Sequence, residues 1–345
     1  MSEQTVQVSQ GLSVDNHQLT ISAYIKQWLE MKRRSIRITI WKDYADYCNK
    51  FIEPYFGNFK VRDIKLRDVN AFYAHLSEKG GTPHRISYTH RVLHAMLEDA
   101  MVEGIVAANP AHKATKPKVE KEDINPLSEA EVWQFIIAAR SSRLYALHHL
   151  AVKTGMREGE VIGLTWANVD FQKSEIRIVQ QIRRDREPGK RLAFAPLKTN
   201  YSRRILPIGN ELQQALLDHR RKQDNEKRFM GSAWKEHDLL FTSSIGTPLD
   251  QRNLLRDFKA VLKEACLRDI RFHDLRHTAA SIMLRNGIPL VEVSRYLGHS
   301  SPSITLNLYA HLLPGGLENT AKMMDKLLTP QMVEIPRISQ GIAGK

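Results

Sequence analysis

Cysteine is nearly absent from this 345-residue chain: Cys48 and Cys266 are its only two, more than two hundred positions apart. That scarcity excludes a disulfide framework and a CxxC zinc site, and it fits a reducing, intracellular setting. Long apolar runs are missing as well. The longest uncharged stretch, Tyr296 to Leu317, is interrupted by Gly298, His299, Pro302, Asn307, His311, Pro314, Gly315 and Gly316, so no membrane span is expected. Met1 to His17 lacks the charged start and apolar core of a secretory signal and reads as a flexible tail. There is no P-loop, no HExxH and no carboxylate cluster for two metals, so neither metal nor other cofactor is expected. Acidic residues are in deficit: 38 Asp and Glu face 51 Lys and Arg, a formal net charge of +13. That balance favours a polyanionic partner, nucleic acid foremost, over an acidic small molecule.

What is present falls into two parts. From Leu19 to about Gly104 apolar residues recur at helical spacing: Ile21, Tyr24, Ile25, Trp28, Leu29 and Met31, then Ile40, Tyr44, Tyr47 and Phe51, then Val69, Phe72, Tyr73 and Leu76. A fourth helix is expected from Thr82, with Pro83 in its first turn and Leu93, Met96, Leu97 and Ala100 facing inward. Between Leu19 and Lys121, 18 Lys and Arg stand against 11 Asp and Glu, so this segment holds more than half of the excess charge and is expected to touch DNA. Asn109 to Pro126 (NPAHKATKPKVEKEDINP), with three prolines and few apolar residues, reads as an extended linker. The expected organisation is a tail over 1–18, a helical domain over 19–108, a linker over 109–126, a second domain over 127–328 and a C-terminal tail over 329–345.

The second domain starts at a capping box, Ser128 with Glu131, ahead of Val132, Phe135, Ile136 and Ala139. Glu175 to Ile182 (EIRIVQQI) and Arg203 to Ile208 (RRILPI) suit short strands, implying one small sheet. Helices are expected over Gly209 to Lys227, Asp250 to Leu267, Asp274 to Asn286, Pro289 to Tyr296 and Ser301 to His311. The fold class is therefore mainly α with a small β-sheet, in two domains.

Breaking and remaking a phosphodiester without metal or nucleotide needs a protein nucleophile that conserves the bond in a covalent intermediate. It also needs fixed cations around a phosphorane whose charge grows in the transition state, a task suited to arginine with its planar, permanently charged fork. Thr154 to Trp166 (TGMREGEVIGLTW) supplies Arg157, expected at a helix start among free backbone amides that favour an anion. His273 to His277 (HDLRH) opens another helix, and three-residue spacing puts His273 and Arg276 on one face. Downstream come Leu297, Gly298 and His299, and ten residues later Tyr309 within Thr305 to His311 (TLNLYAH). Taken singly, Arg157 could be a surface arginine at a helix end. His277, one step off the catalytic face, and His311, two residues past Tyr309, read as structural histidines. Tyr296 reads as a core residue with Val291, Val293 and Leu297. The basic runs Lys32 to Arg34, Arg183 with Arg184, and Arg220 to Lys222 fit DNA-backbone contacts and solvated faces equally well.

His273-x-x-Arg276, Leu297-Gly298-His299 and Tyr309, preceded by Arg157 in a TGxRxxE segment, together resemble the signature of the tyrosine recombinases, the phage integrase family. The order and spacings all match, and the resemblance covers roughly Leu19 to Leu328. It implies a helical, SAM-like core-binding domain and a mixed α+β catalytic domain that close on duplex DNA as a C-shaped clamp. It implies that Arg157 and Arg276 clamp the scissile phosphate while Tyr309 attacks phosphorus, leaving a 3′-phosphotyrosyl link and a 5′-hydroxyl. Lys198, in Leu197 to Arg204 (LKTNYSRR), matches the family's general-acid lysine; Lys190, in the EPGKR turn, is the competing candidate. His273 matches the general base or hydrogen-bonding group near the tyrosine, His299 the histidine that bonds a phosphate oxygen, and Glu160 an acidic residue that orients the site from behind.

The same resemblance implies a site-specific recombinase of a mobile genetic element, acting as a homo-tetramer on double-stranded DNA with inverted core-type sites, through a Holliday junction. It implies action in the bacterial cytoplasm, with directionality or host DNA-bending factors as further partners. Gly315 to Leu328 could form a helix whose Leu317, Met323, Met324 and Leu327 pack on a neighbouring subunit or on the chain's own domain. Only about eighteen polar residues precede the first helix, so binding of arm-type sites is not expected. A type IB topoisomerase is disfavoured by the separate helical domain. A non-catalytic DNA-binding protein on the same scaffold would usually have lost an Arg, His or Tyr, and all are present here.

Overall fold

A computed structural model describes residues 18–119, 125–184, 192–197, 200–310 and 317–328. Its contacts divide the chain into two units, Met1–Asp123 and Ile124–Lys345.

In the first unit Thr20 starts helix α1 (Ile21–Ser35) by accepting a 3.3 Å hydrogen bond from the Ala23 amide. Helix α2 (Ile38–Tyr47) widens into a π-turn over Cys48–Ile52 and resumes as α3 (Glu53–Phe56). The widening inserts extra residues into the turn, so Cys48, Ile52 and Phe56 are the fully buried positions, while Phe51 packs at the margin. Met31 and Ile40, read as members of the apolar helix faces, are 47% and 40% exposed. Helix α4 (Leu66–Glu78) follows, then α5 (Pro83–Val102), opened by the Thr82 side chain and by Pro83 in its first turn. Tyr24, Trp28, Phe56, Phe72, Leu93 and Met96 fill the centre, and each such side chain contributes about 1.5–3 kcal/mol by leaving water. Trp28 Nε1 donates to Asp99 at 2.5 Å, and Lys32 pairs with the same carboxylate at 2.7 Å, pinning α1 to α5.

The second unit begins at the capping box: Ser128 accepts from the Glu131 amide, and the Glu131 carboxylate accepts from the Ser128 amide, at the start of α6 (Glu129–Ala139). Helix α7 (Tyr145–Thr154) is buried from Ala146 to Val152, which is why no polar stripe marks it in the sequence. A short helix, α8 (Glu158–Ile162), precedes strands β1 (Val169–Asp170), β2 (Glu175–Ile178), β3 (Gln180–Arg184), β4 (Leu192–Pro196) and β5 (Arg204–Pro207). The single expected sheet is two. β2 lies between β1 and β5, with Ile176 opposite Leu206, whereas β3 pairs with β4 in a separate two-stranded sheet among the described residues, with Ile182 opposite Phe194. The segment expected as one strand changes partners at Val179, and the alternation hides the change because Ile176, Ile178 and Ile182 are all buried.

Helices α9 (Asn210–Met230), α10 (Gln251–Glu264), α11 (Asp274–Arg285), α12 (Leu290–Leu297), α13 (Pro302–Tyr309) and α14 (Leu317–Leu328) complete the unit. Phe135, Leu147, Ile162, Ile176, Phe241, Phe258 and Leu275 belong to its main core. A smaller core of Ala280, Leu284, Val293, Leu297 and Tyr309 joins α11, α12 and α13. Helix α11 is buried continuously from Leu275 to Ser281, so functional side chains carried there are held by packing rather than by a loop. On α14, Met323, Met324 and Leu327 are 64%, 49% and 68% exposed. Among the described residues no helix is long and apolar enough to cross a membrane.

Candidate active site

Two glycines set the frame. Gly155 ends α7 with φ +59°, and a Cβ there would lie 2.6 Å from Leu297 Cδ2 and 3.2 Å from Ala279 Cβ. Gly298 ends α12 with φ +70°, and its Cβ would meet the Arg204 guanidinium at 2.9 Å. Only glycine satisfies both the left-handed backbone and the close approach. These turns carry Arg157 and His299 into the site.

Arg157 is the N-cap of α8, as its place at a helix start implies, but its own amide is not free. It donates to Glu160 Oε2 at 3.1 Å, while Nη1 donates to Glu160 Oε1 at 2.8 Å and Nη2 to the Gly298 carbonyl at 3.2 Å. Glu160 is 1% exposed and also accepts from Arg204 Nη2 at 3.0 Å. Burial alone would raise its carboxyl, but Arg204 and then Arg157 hold it below the ordinary carboxylate value. Arg204 in turn donates through Nε to the Tyr296 carbonyl at 2.8 Å and through Nη1 to the Ser202 carbonyl at 3.1 Å. Arg204 was not singled out from the sequence; the only signal was an arginine opening a strand, and its burial at 7% is a tertiary fact.

Arg276, on α11, is 3% exposed. Its Nη1 donates to the Gly155 carbonyl at 2.8 Å, and its buried Nη2 has no partner among the described residues. A buried guanidinium N–H without an acceptor is costly, and an incoming anionic oxygen would relieve that cost. Burial and then Arg157 push Arg276 down to about 9, which still leaves it charged at neutral pH.

The two predicted histidines differ. His299 places Nδ1 2.7 Å from the buried Thr305 hydroxyl, and burial, then Arg276 and Arg157, push it down to about 3. It is therefore neutral at physiological pH, and with the Thr305 hydroxyl donating to Nδ1 its Nε2–H is the donor left for a ligand. His273 sits at the N-cap of α11 with an exposed edge, yet the protein packed around its ring, then His277 and Arg276, hold it at about 4. His273 has no hydrogen bond to Tyr309 among the described residues.

Tyr309, the last residue of α13, is 1% exposed and sits in the small core. Its hydroxyl is 2.5 Å from Nδ1 of His277, the histidine the sequence reading set aside as structural. The reason is helical geometry: His277 follows His273 by four residues, so both rings share one face of α11, at 5.2 Å between centroids, and α13 packs on that face. Burial pushes the Tyr309 phenol up to about 12, against a lowering by Arg276. Tyr296 is half-buried against the main core, and its carbonyl accepts from Arg204. Lys198, Lys190 and His311 lie outside the described residues.

Arg157 and Arg204 thus meet on the buried Glu160, Arg157 and Arg276 bond the carbonyls of the turns at Gly298 and Gly155, and Tyr309 bonds His277. Two arginines, neutral histidines and a tyrosine in one small region suit the binding of a phosphate and attack on it. The phage integrase family matches residues 125–315, and the N-terminal SAM-like domain of phage integrases matches residues 20–77. A tyrosine recombinase XerC-like protein of Caldanaerobacter subterraneus is 32% identical over 339 residues, covering 93% of this chain and 86% of that protein. Among solved structures, the Tn1549 transposon integrase in complex with a circular intermediate DNA superposes with a TM-score of 0.75 at 18% identity, over 90% of this chain and 99% of that one. A lambda integrase tetramer bound to a Holliday junction has a TM-score of 0.61 at 19% identity, over 88% of this chain and 82% of that one.

Proposed function

This chain belongs to the phage integrase family of tyrosine recombinases, and we propose that Tyr309 is its nucleophile, Arg157 and Arg276 its phosphate clamp, and His273, His299 and Lys198 its proton and hydrogen-bond partners. The protein is a site-specific DNA recombinase, an enzyme that cuts and rejoins DNA strands. The observation that carries the residue assignment is the cross-bracing of the site. Arg276 bonds the Gly155 carbonyl two residues before Arg157, and Arg157 bonds the Gly298 carbonyl one residue before His299. Three phosphate-directed groups from three separate segments are thereby locked to one another before any DNA arrives.

On this reading the scissile phosphate takes the Arg276 Nη2 donor and the outer edge of Arg157, and His299 donates through Nε2 to a non-bridging oxygen. His273, at the exposed start of α11, reaches the phosphate or the attacking oxygen. Tyr309 attacks phosphorus, the bond to the 5′ oxygen breaks, and Lys198 protonates the departing oxygen. Glu160 touches no DNA; with Arg204 behind it, it fixes the Arg157 fork. The partner is duplex DNA with inverted core-type sites, held two at a time by four copies of the chain in the cytoplasm, with 109–126 as the linker between the DNA-contacting domains. The Tn1549 integrase in complex with a circular intermediate DNA and the lambda integrase tetramer bound to a Holliday junction support the DNA partner and the four-copy assembly. The exposed Met323, Met324 and Leu327 on α14 fit packing against a neighbouring copy.

Incubating the chain with duplex fragments that carry a nick, which lets the cleaved end diffuse away, tests the assignment on a denaturing gel. Wild type accumulates a protein–DNA band and Tyr309→Phe accumulates none. An adduct that survives Tyr309→Phe would remove Tyr309 as the nucleophile.

A further inference from the structure

We propose that His277 is the residue that takes the phenolic proton from Tyr309 during strand cleavage and returns it during rejoining, an inference that rests on Tyr309 being the nucleophile. The geometry is direct: Nδ1 of His277 lies 2.5 Å from the Tyr309 hydroxyl, both side chains are buried, and His273 makes no such bond among the described residues. With its single proton on Nε2, a neutral imidazole offers the Nδ1 lone pair to the hydroxyl. Burial favours that neutral form, and Asp274, one turn back on the same helix, faces the imidazolium that proton transfer creates. Asp274 is itself held by Arg271, whose amide donates to Oδ2 at 2.8 Å and whose Nη2 donates to Oδ1 at 3.0 Å. The charged and titratable groups facing His277 are Asp274, Arg271, Arg276 and His273 from α11 and the turn before it, His299 from the turn after α12, and Tyr309 from α13.

The step balances as follows. The bond from Tyr309 Oη to phosphorus forms while the bond from phosphorus to the 5′ oxygen breaks; the phenolic proton passes to His277 Nδ1, and the departing oxygen receives its proton from a separate acid, Lys198 on the present reading. In rejoining, a 5′-hydroxyl gives its proton back to Lys198 as it attacks phosphorus, the bond from phosphorus to Tyr309 Oη breaks, and His277 hands its proton back to Oη. His273, on the exposed rim of the same helix face, is left free to hydrogen-bond the phosphate.

Single-turnover cleavage of nicked duplexes by His277→Asn and His277→Gln tests this, with DNA affinity measured alongside. The expected result is a fall in cleavage rate of about 10²–10⁴-fold at unchanged affinity. Replacing Tyr309 by a fluorinated tyrosine of lower phenol pKa is then expected to recover about tenfold or more of that loss, because a more acidic phenol needs less help. A substrate with sulfur in the 5′ bridging position, which spares the need for an acid, is expected to recover none of it. Variants that cleave as fast as wild type, or a slow variant that the fluorinated tyrosine does not accelerate, would overturn the proposal. Should both variants misfold, the fluorinated tyrosine in the otherwise wild-type chain decides. The acid limb of its pH–rate profile stays in place if His277 takes the proton, and moves to lower pH with the phenol if water does. A wild-type chain that forms no Tyr309 adduct removes the nucleophile assignment itself, whereas Tyr309 adducts formed at full rate by the His277 variants remove only the role of His277.

Discussion

At the scale of single residues, Glu160 is the group on which Arg157 and Arg204 converge. It has no solvent to shield it, and both its oxygens are bound by Arg157 and Arg204. Removing one member of a buried, hydrogen-bonded ion cluster costs roughly 3–5 kcal/mol, because the remaining charges are left unpaired. Glu160→Gln is therefore expected to destabilise the chain by that order in denaturant unfolding near pH 7. The pH dependence follows from the depressed carboxyl: the stabilisation is complete above the ordinary value of 4.5 and is lost as pH falls through the lower folded value. The stability gap between wild type and Glu160→Gln should therefore close as the pH is taken well below 4.5, and a gap independent of pH would contradict the ion-cluster account. The same residue shows what sequence could and could not reveal. Glu160 was legible because it stands three residues after Arg157, within one helical turn. Arg204 and His277 were not, because the first owes its role to a strand packed against α12 and the second to α13 lying across α11.

At the scale of elements, the site depends on turns that end helices abruptly. Gly155 lets α7 stop, reverse and place Arg157 against α8, and its bare Cα is what admits Leu297 and Ala279. Gly155→Ala would add left-handed strain and a steric clash, together costing roughly 2–5 kcal/mol. Gly287 has a similar φ of +78° with nothing within 4 Å of a built Cβ, so Gly287→Ala should cost only about 1–2 kcal/mol. Urea unfolding of the two variants measures the difference; equal losses would mean that backbone strain alone matters and that the approach of Leu297 does not. Elements with local signatures were readable in advance: the Ser128 capping box, Thr82 with Pro83, and the helices bearing Arg276 and Tyr309. Helix α7 was missed because a helix buried on all sides shows no amphipathic stripe. The second sheet was missed because a change of strand partner at Val179 leaves the inward isoleucines unchanged.

For the whole molecule, the excess of positive charge, the family membership and the assembled site point to one activity, in which a polyanion is first attracted without regard to sequence and then cut at one phosphate. On the proposed assignment the charge supplies attraction, and Arg157 and Arg276, held by Glu160 and by the Gly298 and Gly155 carbonyls, supply the fixed donors. The chemistry turns on one oxygen atom. The most direct measurement is to trap the complex on a nicked substrate, digest protein and DNA, and read the modified peptide by mass spectrometry. The predicted result is a single modified residue, Tyr309, carrying the 3′-phosphate of the cleaved strand. A nucleotide found on Tyr296 or any other side chain, or a 5′-phosphate linkage, would contradict the account.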